Sequence, residues 1–291
     1  INNKEMAEAL INITSMEKDI VDILATTFWP GPITFLVKKS KYVTNKCTAG
    51  SKYVGLRCPQ NKLARDLISL SGVPIAAPSA NISGKVSSTT FDHVFGYFKD
   101  NKDITIIKTE EPCSLGIEST IIKIDNNTVS IVRPGIIVEQ EIKDALLNLD
   151  IEVKVDIPLT QSVNPGSHIN HYQIDKKVVL ANFMSDESLN DDLSKFNIMK
   201  AINYYLMTSI FIDFGGHNLK MMDKFYGYVD LSEKGDPKEA LFNLYNVLHQ
   251  LNDIDCSNVI VFNFYKNKKG YYRALYDRLI RCGGGKEIII P

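Results

Sequence analysis

Apolar residues recur at mostly helical spacing near the start of the chain, at Met6, Leu10, Ile11, Met16, Ile20, Ile23 and Leu24. This spacing predicts a helix over residues 4–28. The stretch "FWPGPITFLVKK" follows, and its two prolines around Gly31 end the helix. The run from Ile33 to Val37 is apolar and rich in residues that favour strands, so it predicts a strand.

The rest of the first half alternates between short apolar runs and amphipathic stretches. We predict five more strands, in "YVGLRCP", "VPIAA", "ITIIK", "STIIKID" and "TVSIVRPG", and two more helices, in "NKLARDLISLSG" and "EQEIKDALLNL". Asn126 and Asn127 form a hairpin turn between the last two strands, and Gly72 closes the first of the two helices. The segment "SSTTFDHV" is typical of a capped helix start, with Ser88 or Thr89 as the N-cap.

The pattern changes at residues 155–175, where "VDIPLTQSVNPGSHINHYQID" has prolines, polar residues and little periodicity. Such a segment is typical of a linker. Beyond it, the apolar runs "KKVVLANF", "TSIFIDFGG" and "NVIVFNF" alternate with helical patterns in "FNIMKAINYY", "PKEALFNLYNVLHQLND" and "YYRALYDRLIRCGGG". We therefore predict an α/β domain with an antiparallel element at 1–154, a linker at 155–175, and a smaller Rossmann-like parallel α/β domain at 176–291.

Composition narrows the class of protein. The 291 residues are 44% hydrophobic and 23% charged, with a formal net charge of −1, which excludes disorder of the whole chain and gives no global basic field for nucleic acid. The five scattered cysteines form no CxxC pair and favour a reducing compartment. Without a signal-peptide pattern or an apolar run near the roughly 20 residues that cross a bilayer, we expect a cytoplasmic protein with no membrane partner.

The stretch "GVPIAAPSANISGKVSSTT" carries the densest set of candidate ligand-binding groups. An apolar run opens into a loop whose backbone and side chains, those of Ser79, Asn81, Ser83 and Ser87, can all donate hydrogen bonds. Such donors at the end of a strand suit phosphate or carboxylate oxygens. The alternative is an ordinary serine-rich turn before a capped helix, and spacing alone favours this alternative. The loop is not a P-loop, because no Gly-Lys-Ser/Thr follows it.

Five other patterns are less specific. Ser119 and Thr120 begin a strand beside a glycine in "GIESTIIKI", and Arg133 precedes a proline, where it is either a surface residue or a fork for an anion. His168 and His171 have a spacing that could bind metal but lack further ligands upstream, so a polar linker is the better interpretation. "YKNKKGYYR" is typical of a solvated loop more than of a single-strand binder, and "CGGGK" of a helix stop.

Taken in order, "WPGPITFLVKK", "TAGSKYVGLRCP", "GVPIAAPSANISGKVSST", "GIESTIIKI" and "VSIVRPG" resemble the YrdC-like family, densely from about Phe28 to Pro134. With the linker and the second α/β domain, the chain resembles the family's two-domain threonylcarbamoyl-AMP synthases, which implies a twisted mixed sheet with helices for the first domain. "NPGSHINHYQI" is similar to the family's Pro-Gly...His-Tyr-Ala-Pro linker, with Gln173 and Ile174 in place of Ala-Pro. "GYYRALYDRLIRCGGGK" resembles a diverged last helix.

The resemblance implies a reaction in which L-threonine, bicarbonate and ATP give threonylcarbamoyl-adenylate and pyrophosphate. A downstream threonylcarbamoyl-transferase complex would use the product to modify the adenosine next to the anticodon of certain tRNAs, so that binding of tRNA itself is weak or indirect. The implied cofactor is Mg²⁺, held through the ATP phosphates and not by a protein site. Carboxylation of an amine and adenylyl transfer are chiefly problems of positioning and charge neutralisation, so no catalytic nucleophile is implied.

The resemblance also implies roles for individual residues. Arg57 would bind the threonine carboxylate, with Ser119 and the backbone around Ala77 on the threonyl part. Asn81 would brace the loop, and His171 would help the linker fold over the site as a lid. The residues implied on the ATP or adenylate side are Thr48, Ser79, Ser87, Arg133 and Tyr172, the last also as part of the lid.

Two family motifs that embrace ATP, a Pro-Thr-Glu-Thr-Val-Tyr-Gly-Leu segment and a Lys-x-Arg pair, do not occur in this sequence. We expect them to lie upstream of Ile1, in a segment that could also carry organellar targeting. Three alternatives stay open: a related carbamoyl-transfer enzyme of hydrogenase maturation, whose zinc-finger and acylphosphatase-like regions this sequence lacks; an RNA-binding module; and a catalytically degenerate homologue that binds RNA or nucleotide, or keeps only a structural or regulatory role.

Overall fold

The computed structural model describes residues 1–109, 113–157, 171–183, 205–263 and 269–290. The chain forms two compact units. The first comprises Ile1–Pro78 and Glu118–Ser167, and the second comprises Ser79–Ile117 and His168–Pro291. The segment 79–117 therefore packs with the C-terminal half of the chain.

Seven helices and ten strands lie in the described residues. The helices are α1 Lys4–Glu8, α2 Ser15–Phe28, α3 Lys62–Ser71, α4 Phe91–Phe98, α5 Glu139–Ala145, α6 Pro237–Asn252 and α7 Tyr271–Cys282, with a 3-10 helix at Leu219–Lys224. The strands are β1 Ile33–Lys38, β2 Tyr53–Leu56, β3 Thr120–Asp125, β4 Thr128–Arg133, β5 Glu152–Val155, β6 Lys177–Phe183, β7 Ser209–Asp213, β8 Gly227–Asp230, β9 Asn258–Phe262 and β10 Glu287–Ile290. In these described residues, no helix is both long and apolar enough to cross a membrane.

The first unit is built on a five-stranded mixed sheet in the order β2-β1-β3-β4-β5. Strands β1 and β3 are parallel, as are β4 and β5, and the other neighbours are antiparallel. The core of this unit is formed by apolar side chains of α2 and of the central strands, including Ile20, Leu24, Phe35, Ile122 and Ile124. The mixed sheet with an antiparallel hairpin, turned by Asn126 in the left-handed conformation, confirms the predicted class.

The single helix predicted over residues 4–28 is wrong, because the chain forms two helices there. Thr14 is the N-cap of α2: its hydroxyl accepts from the Glu17 amide at 3.2 Å, and the Glu17 carboxylate accepts from the Thr14 amide at 2.7 Å. This reciprocal capping satisfies two amide donors at the helix start and ends any continuous helix. Apolar spacing persists across the break because both helices face the same core.

The strands predicted in "VPIAA" and "ITIIK" are also wrong. Neither segment has strand structure, and both expose apolar side chains, with 57% of Val73 and 57% of Ile107 accessible to solvent. Pro74 and Pro78 bring no amide donor to a ladder, which weakens strand pairing in the first segment. The helix after the serine-rich loop begins one or two residues later than predicted, with Thr90 as the N-cap of α4 in place of Ser88 or Thr89.

The second unit contains a five-stranded parallel sheet in the order β10-β6-β9-β7-β8. Helix α6 buries Leu241, Leu244 and Leu248, and α7 ends at Cys282 with Gly283 as its C-cap. This confirms the predicted parallel α/β sheet and the glycine helix stop. Most of the helix predicted in "FNIMKAINYY" and residues 265–268 of "YKNKKGYYR" lie outside the described residues, whereas the last three residues of "YKNKKGYYR" begin α7. The boundaries at 154 and 175 stay predictions.

Candidate functional site

In the first unit, Arg133 and Ser119 form a tight pair where β4 ends and β3 begins. The Arg133 guanidinium donates from Nε and Nη2 to the Ser119 carbonyl at 3.1 and 2.9 Å, and from Nη2 to the Ser119 hydroxyl at 3.1 Å. The Ser119 hydroxyl also lies 2.7 Å from the Thr34 hydroxyl. Only 3% of Ser119 is exposed, so these bonds fix its side chain and backbone together.

A close backbone approach supports this pair. A Cβ atom at Gly135 would lie 2.6 Å from the Thr120 amide nitrogen, so only glycine fits there. The Thr120 hydroxyl donates to the Ile137 carbonyl at 2.8 Å and accepts from the Ile137 amide at 3.1 Å. The stretches "GIEST" and "VRPG" are thus two sides of one backbone junction, which accounts for their small and hydroxyl-bearing residues.

Arg57 lies directly after β2 and is exposed, with its Nε donating to the Gly31 carbonyl at 3.2 Å. The sheet register pairs Leu56 with Phe35 and Thr120 with Ile33. Because Arg57 follows Leu56 and Ser119 precedes Thr120, both residues flank the N-terminal end of β1. The first unit therefore brings Arg57, Ser119 and Arg133 to one edge of its sheet.

Two other predicted residues of the first unit lie in loops. Thr48 belongs to a turn where its hydroxyl accepts from Lys39 Nζ at 3.0 Å and donates to the Ser51 carbonyl at 2.9 Å. Ala77 is exposed in the segment after α3. The ammonium group of Lys39 beside Thr48 was missed in the sequence, where a single lysine in a lysine-rich stretch carries no distinguishing pattern.

In the second unit, the loop from Ser79 to Thr89 is held by its own side chains. The Asn81 amide donates to the carbonyls of Ile82 and Lys85 at 2.9 and 3.0 Å, and the Ser88 hydroxyl donates to the Ala80 carbonyl at 2.6 Å. Asn81 therefore lies where it can brace the loop. Ser79 is exposed, whereas Ser87 is buried.

The end of the linker is attached to this loop. The Gln173 amide donates to the Gly84 carbonyl at 2.8 Å, and Lys85 forms an ion pair with Asp175. The two segments pair as a short parallel bridge between Lys85 and Gln173. Any movement of the linker would therefore be transmitted to the serine-rich loop.

Tyr172 is buried within the second unit, with none of its surface accessible. Its ring stacks on Tyr245 at a centroid distance of 5.3 Å, His171 meets it edge-on at 4.1 Å, and the Arg278 guanidinium lies 5.7 Å from its centroid. Its φ of 62° is in the left-handed region, which is unfavourable for an aromatic residue. In this conformation the Tyr172 ring anchors the end of the linker to the C-terminal half, and its role on the ATP side stays a prediction.

Two histidines that we did not single out in the sequence stack beside the loop. The rings of His93 and His249 lie 3.7 Å apart at an interplanar angle of 17°. Burial, helped by the neighbouring His249 ring, lowers the pKa of His93 to about 4, and burial also lowers the pKa of His249. Both rings are therefore neutral at pH 7. No sequence pattern indicated this pair, because the residues are 156 positions apart.

The predicted site residues thus fall in two groups. Thr48, Arg57, Ala77, Ser119 and Arg133 belong to the first unit, and Ser79, Asn81, Ser87, His171 and Tyr172 belong to the second. His168 lies outside the described residues. Within the described part of the chain, no group of three or more histidine, cysteine, aspartate or glutamate residues could hold a metal ion.

Two family models match consecutive parts of the chain. The model described as "Telomere recombination" matches residues 1–135. The model described as "Threonylcarbamoyl-AMP synthase, C-terminal domain" matches residues 137–284, a little over half of the chain.

Relatives and a solved structure agree with these matches. The chain is 36% identical over 160 residues to the threonylcarbamoyl-AMP synthase of Pyrococcus abyssi, covering 55% of this chain and 46% of that protein. It is 32% identical over 164 residues to the threonylcarbamoyl-AMP synthase of Bacillus subtilis, covering 56% of this chain and 47% of that protein. These matches span about half the length of the relatives. The crystal structure of P. abyssi Sua5 complexed with L-threonine is similar at a TM-score of 0.79 and 26% identity, covering 100% of this chain and 81% of that one.

Proposed function

Since the chain belongs to the threonylcarbamoyl-AMP synthase family, we propose that it makes threonylcarbamoyl-adenylate and pyrophosphate from L-threonine, bicarbonate and ATP. The observation that carries the proposal is the edge of the first sheet, where Arg57, Ser119 and Arg133 lie together. Two guanidinium groups and a fixed hydroxyl at one edge suit a substrate with a carboxylate and phosphates.

Arg57 is proposed to bind the threonine carboxylate, since its side chain is exposed directly after β2, beside the N-terminal end of β1. A planar fork of N–H donors matches the two oxygens of a carboxylate. Ser119 and the exposed backbone around Ala77 would contact the rest of the threonyl group. The amine of threonine, held in this way, adds to the carbon of bicarbonate with loss of water, which gives a carbamate.

The carbamate oxygen then attacks the α-phosphorus of ATP, and pyrophosphate leaves. Arg133, Thr48, Ser79 and Ser87 are proposed to contact the ATP or adenylate side. Tyr172, with His171, is proposed to hold the linker so that it excludes water from the labile carbamate and mixed anhydride. The contact of Gln173 with Gly84 supports a linker that moves together with the serine-rich loop.

Magnesium is proposed to enter as the ATP complex. Mg²⁺ at nucleotide sites is commonly held by substrate phosphates with few protein ligands, and the hydroxyl and arginine groups named above fit phosphate oxygens better than a bare cation. The ion would supply charge neutralisation on the leaving pyrophosphate. The product is proposed to pass to a downstream threonylcarbamoyl-transferase complex that modifies tRNA, with weak or indirect contact between this protein and tRNA.

The test is pyrophosphate release by the purified full-length protein with ATP, Mg²⁺ and bicarbonate, with and without L-threonine. We expect release that depends on threonine and on bicarbonate. L-serine and L-valine at the same concentration are the matched controls, since each keeps the amine and carboxylate but lacks either the methyl or the hydroxyl group of threonine. A folded protein that binds ATP and releases no pyrophosphate with threonine would instead indicate a nucleotide-binding homologue.

A further inference from the structure

One face of helix α6 contacts the segments that carry the serine-rich loop and the linker. The residues on this face are Phe242, Tyr245, His249 and Asn252, which are spaced by three or four positions and so lie on the same side of the helix. The backbone of Phe242 touches Gly116, and the ring of Tyr245 stacks on Tyr172. The Asn252 side chain accepts from the Asp175 amide at 2.9 Å.

His249 occupies the centre of this face and contacts the loop directly. Its Nε2 lies 3.2 Å from the Ser87 carbonyl, and because a carbonyl only accepts, Nε2 carries the proton. The stacked His93 extends the contact, since its Nδ1 lies 3.2 Å from the Thr89 amide nitrogen and accepts from it. Two successive parts of the loop are thus fixed by imidazole rings.

We propose that His249 is a positioning residue for the nucleotide side of the site, acting through the Ser87 backbone. The inference rests on the proposed function, in which Ser87 contacts ATP or the adenylate. A donor that fixes the Ser87 carbonyl restricts the peptide on either side, and with it the direction of the Ser87 hydroxyl. Misplacement by an ångström weakens such contacts severely. This gives the C-terminal half of the chain a specific part in binding ATP.

The contact also explains why the segment 79–117 packs with the C-terminal half. Tyr97, one turn after His93, donates to the Val86 carbonyl at 3.2 Å and lies 5.8 Å from the His249 ring. Burial lowers the pKa of both histidines, and the charge of Asp92 on His93 and that of Asp253 on His249 act in the opposite direction.

Two substitutions separate the hydrogen bond from the packing. His249→Phe keeps an aromatic ring to stack on His93 and removes the donor, whereas His249→Gln keeps an N–H donor and removes the ring. Gln250→Ala, at an exposed position of the same helix, is the matched control. We expect His249→Phe to raise the KM for ATP roughly five- to tenfold, as for the loss of one partly buried hydrogen bond, with kcat and the KM for threonine within twofold.

His249→Gln is expected to recover most of the ATP affinity, and Gln250→Ala to match the wild type. The inference is overturned if His249→Phe binds ATP like the wild type, or if the KM values for ATP and threonine rise together as in general misfolding. The dissociation constant of a nonhydrolysable ATP analogue, measured by calorimetry, gives the same comparison without turnover. If the wild type binds the analogue but shows no threonine-dependent pyrophosphate release, the proposed function fails. The role of His249 is then still decided by the ratio of the dissociation constants of His249→Phe and the wild type for the analogue. A wild type that does not bind the analogue overturns both.

Discussion

Arg133 encloses Ser119 from the neighbouring strand, with two guanidinium bonds to its carbonyl and one to its hydroxyl, at 2.9 to 3.1 Å. The arrangement requires the planar geometry of arginine, because two nitrogens converge on one oxygen. It ties the start of β3 to the end of β4 at the edge where we place the substrates.

We predict that Arg133→Lys lowers the free energy of unfolding by about 1–3 kcal/mol, the usual effect of losing charge-assisted bonds to a buried group. Denaturant unfolding followed by fluorescence or circular dichroism measures this. Arg65→Lys is the control. Arg65 on α3 donates to the carbonyls of Pro59 and Gln60, just before its own helix, and its replacement should change stability by less than about 0.5 kcal/mol. Equal effects of the two substitutions would contradict a special role for the pair.

Arg57→Ala is predicted to weaken threonine binding far more than ATP binding. The guanidinium is exposed at the sheet edge and is proposed to face the carboxylate of threonine. Because the substitution removes a bidentate partner of this carboxylate, the affinity for threonine should fall at least tenfold. Calorimetric titration with threonine and separately with an ATP analogue measures both. Arg57→Lys keeps the charge and should recover only part of the threonine affinity; equal losses of both ligands would show that Arg57 is misassigned.

Much of the fold follows from local sequence. Strands β1, β3 and β4 were predicted because they are short apolar runs, and the structure buries them on both faces. Helices α3, α6 and α7 were predicted from their amphipathic spacing, and Gly72, which adopts the left-handed conformation, was predicted as the end of α3. Strands β5, β8 and β10 were missed, and each has only four residues, too few to establish a period. The equally short β2 was predicted because Pro59 marks the end of its apolar run.

The errors have tertiary causes. The break before α2 depends on one capping interaction at Thr14, which a continuous apolar stripe conceals. In "VPIAA", strand propensity did not decide the outcome, because a strand also needs a neighbour to pair with and the exposed Val73 has none in the described chain. His249 could not be found from sequence, since its partners Ser87 and His93 lie more than 150 positions away. Local patterns contain no information about such a pairing.

Acid should destabilise the first unit through Asp125. Although partial burial acts in the opposite direction, hydrogen bonds from Lys38, Tyr53 and Lys123 lower the pKa of Asp125 to about 2. Glu17, which also binds Lys38, has a lowered pKa for similar reasons, again against the effect of burial. Because the folded state binds protons less readily than the unfolded state, the stabilisation is complete above the unfolded pKa near 4 and declines as pH falls towards 2.

We therefore predict that thermal stability falls between about pH 4.5 and pH 2, and that Asp125→Asn makes this decline shallower. The measurement is the melting temperature across this range, monitored by circular dichroism. Asp66→Asn is the control, since Asp66 pairs with Lys62 on an exposed helix surface and surface pairs contribute little. The prediction fails if Asp125→Asn and Asp66→Asn have the same pH profile.

Asp277 lies between two buried arginines on α7, with its oxygens 2.9 Å from Arg278 Nη1 and 2.9 Å from Arg281 Nε. Removing its charge leaves two buried guanidinium groups without this carboxylate. Asp277→Asn is predicted to destabilise the protein by about 3–5 kcal/mol, as for other broken buried pairs. Glu139→Gln, which breaks the more exposed pair with Lys143, should change stability by less than about 1 kcal/mol. Chemical denaturation of both variants measures the difference.

Two glycines have nearly the same backbone conformation, so alanine substitutions at the two positions distinguish backbone strain from steric conflict. Gly72 and Gly116 have φ values of 66° and 68°. A Cβ at Gly72 would meet nothing within 4 Å, whereas a Cβ at Gly116 would lie 2.4 Å from both the Cα and the carbonyl oxygen of Phe242. Gly72→Ala should therefore cost only the left-handed penalty of about 1–2 kcal/mol. Gly116→Ala must also displace the backbone of α6.

We predict that Gly116→Ala destabilises the protein by at least about 2 kcal/mol more than Gly72→Ala, within the range that a buried backbone clash produces. Because Phe242 lies on the same helix face as Tyr245 and His249, displacement of α6 at this point should also loosen the loop and the linker. Hydrogen exchange measured by mass spectrometry should show faster exchange in peptides covering residues 79–109 and 171–175 for Gly116→Ala and not for Gly72→Ala. If the two alanine variants were equally stable and exchanged alike, the packing of Gly116 on α6 would not be what holds the segment 79–117 to the C-terminal half.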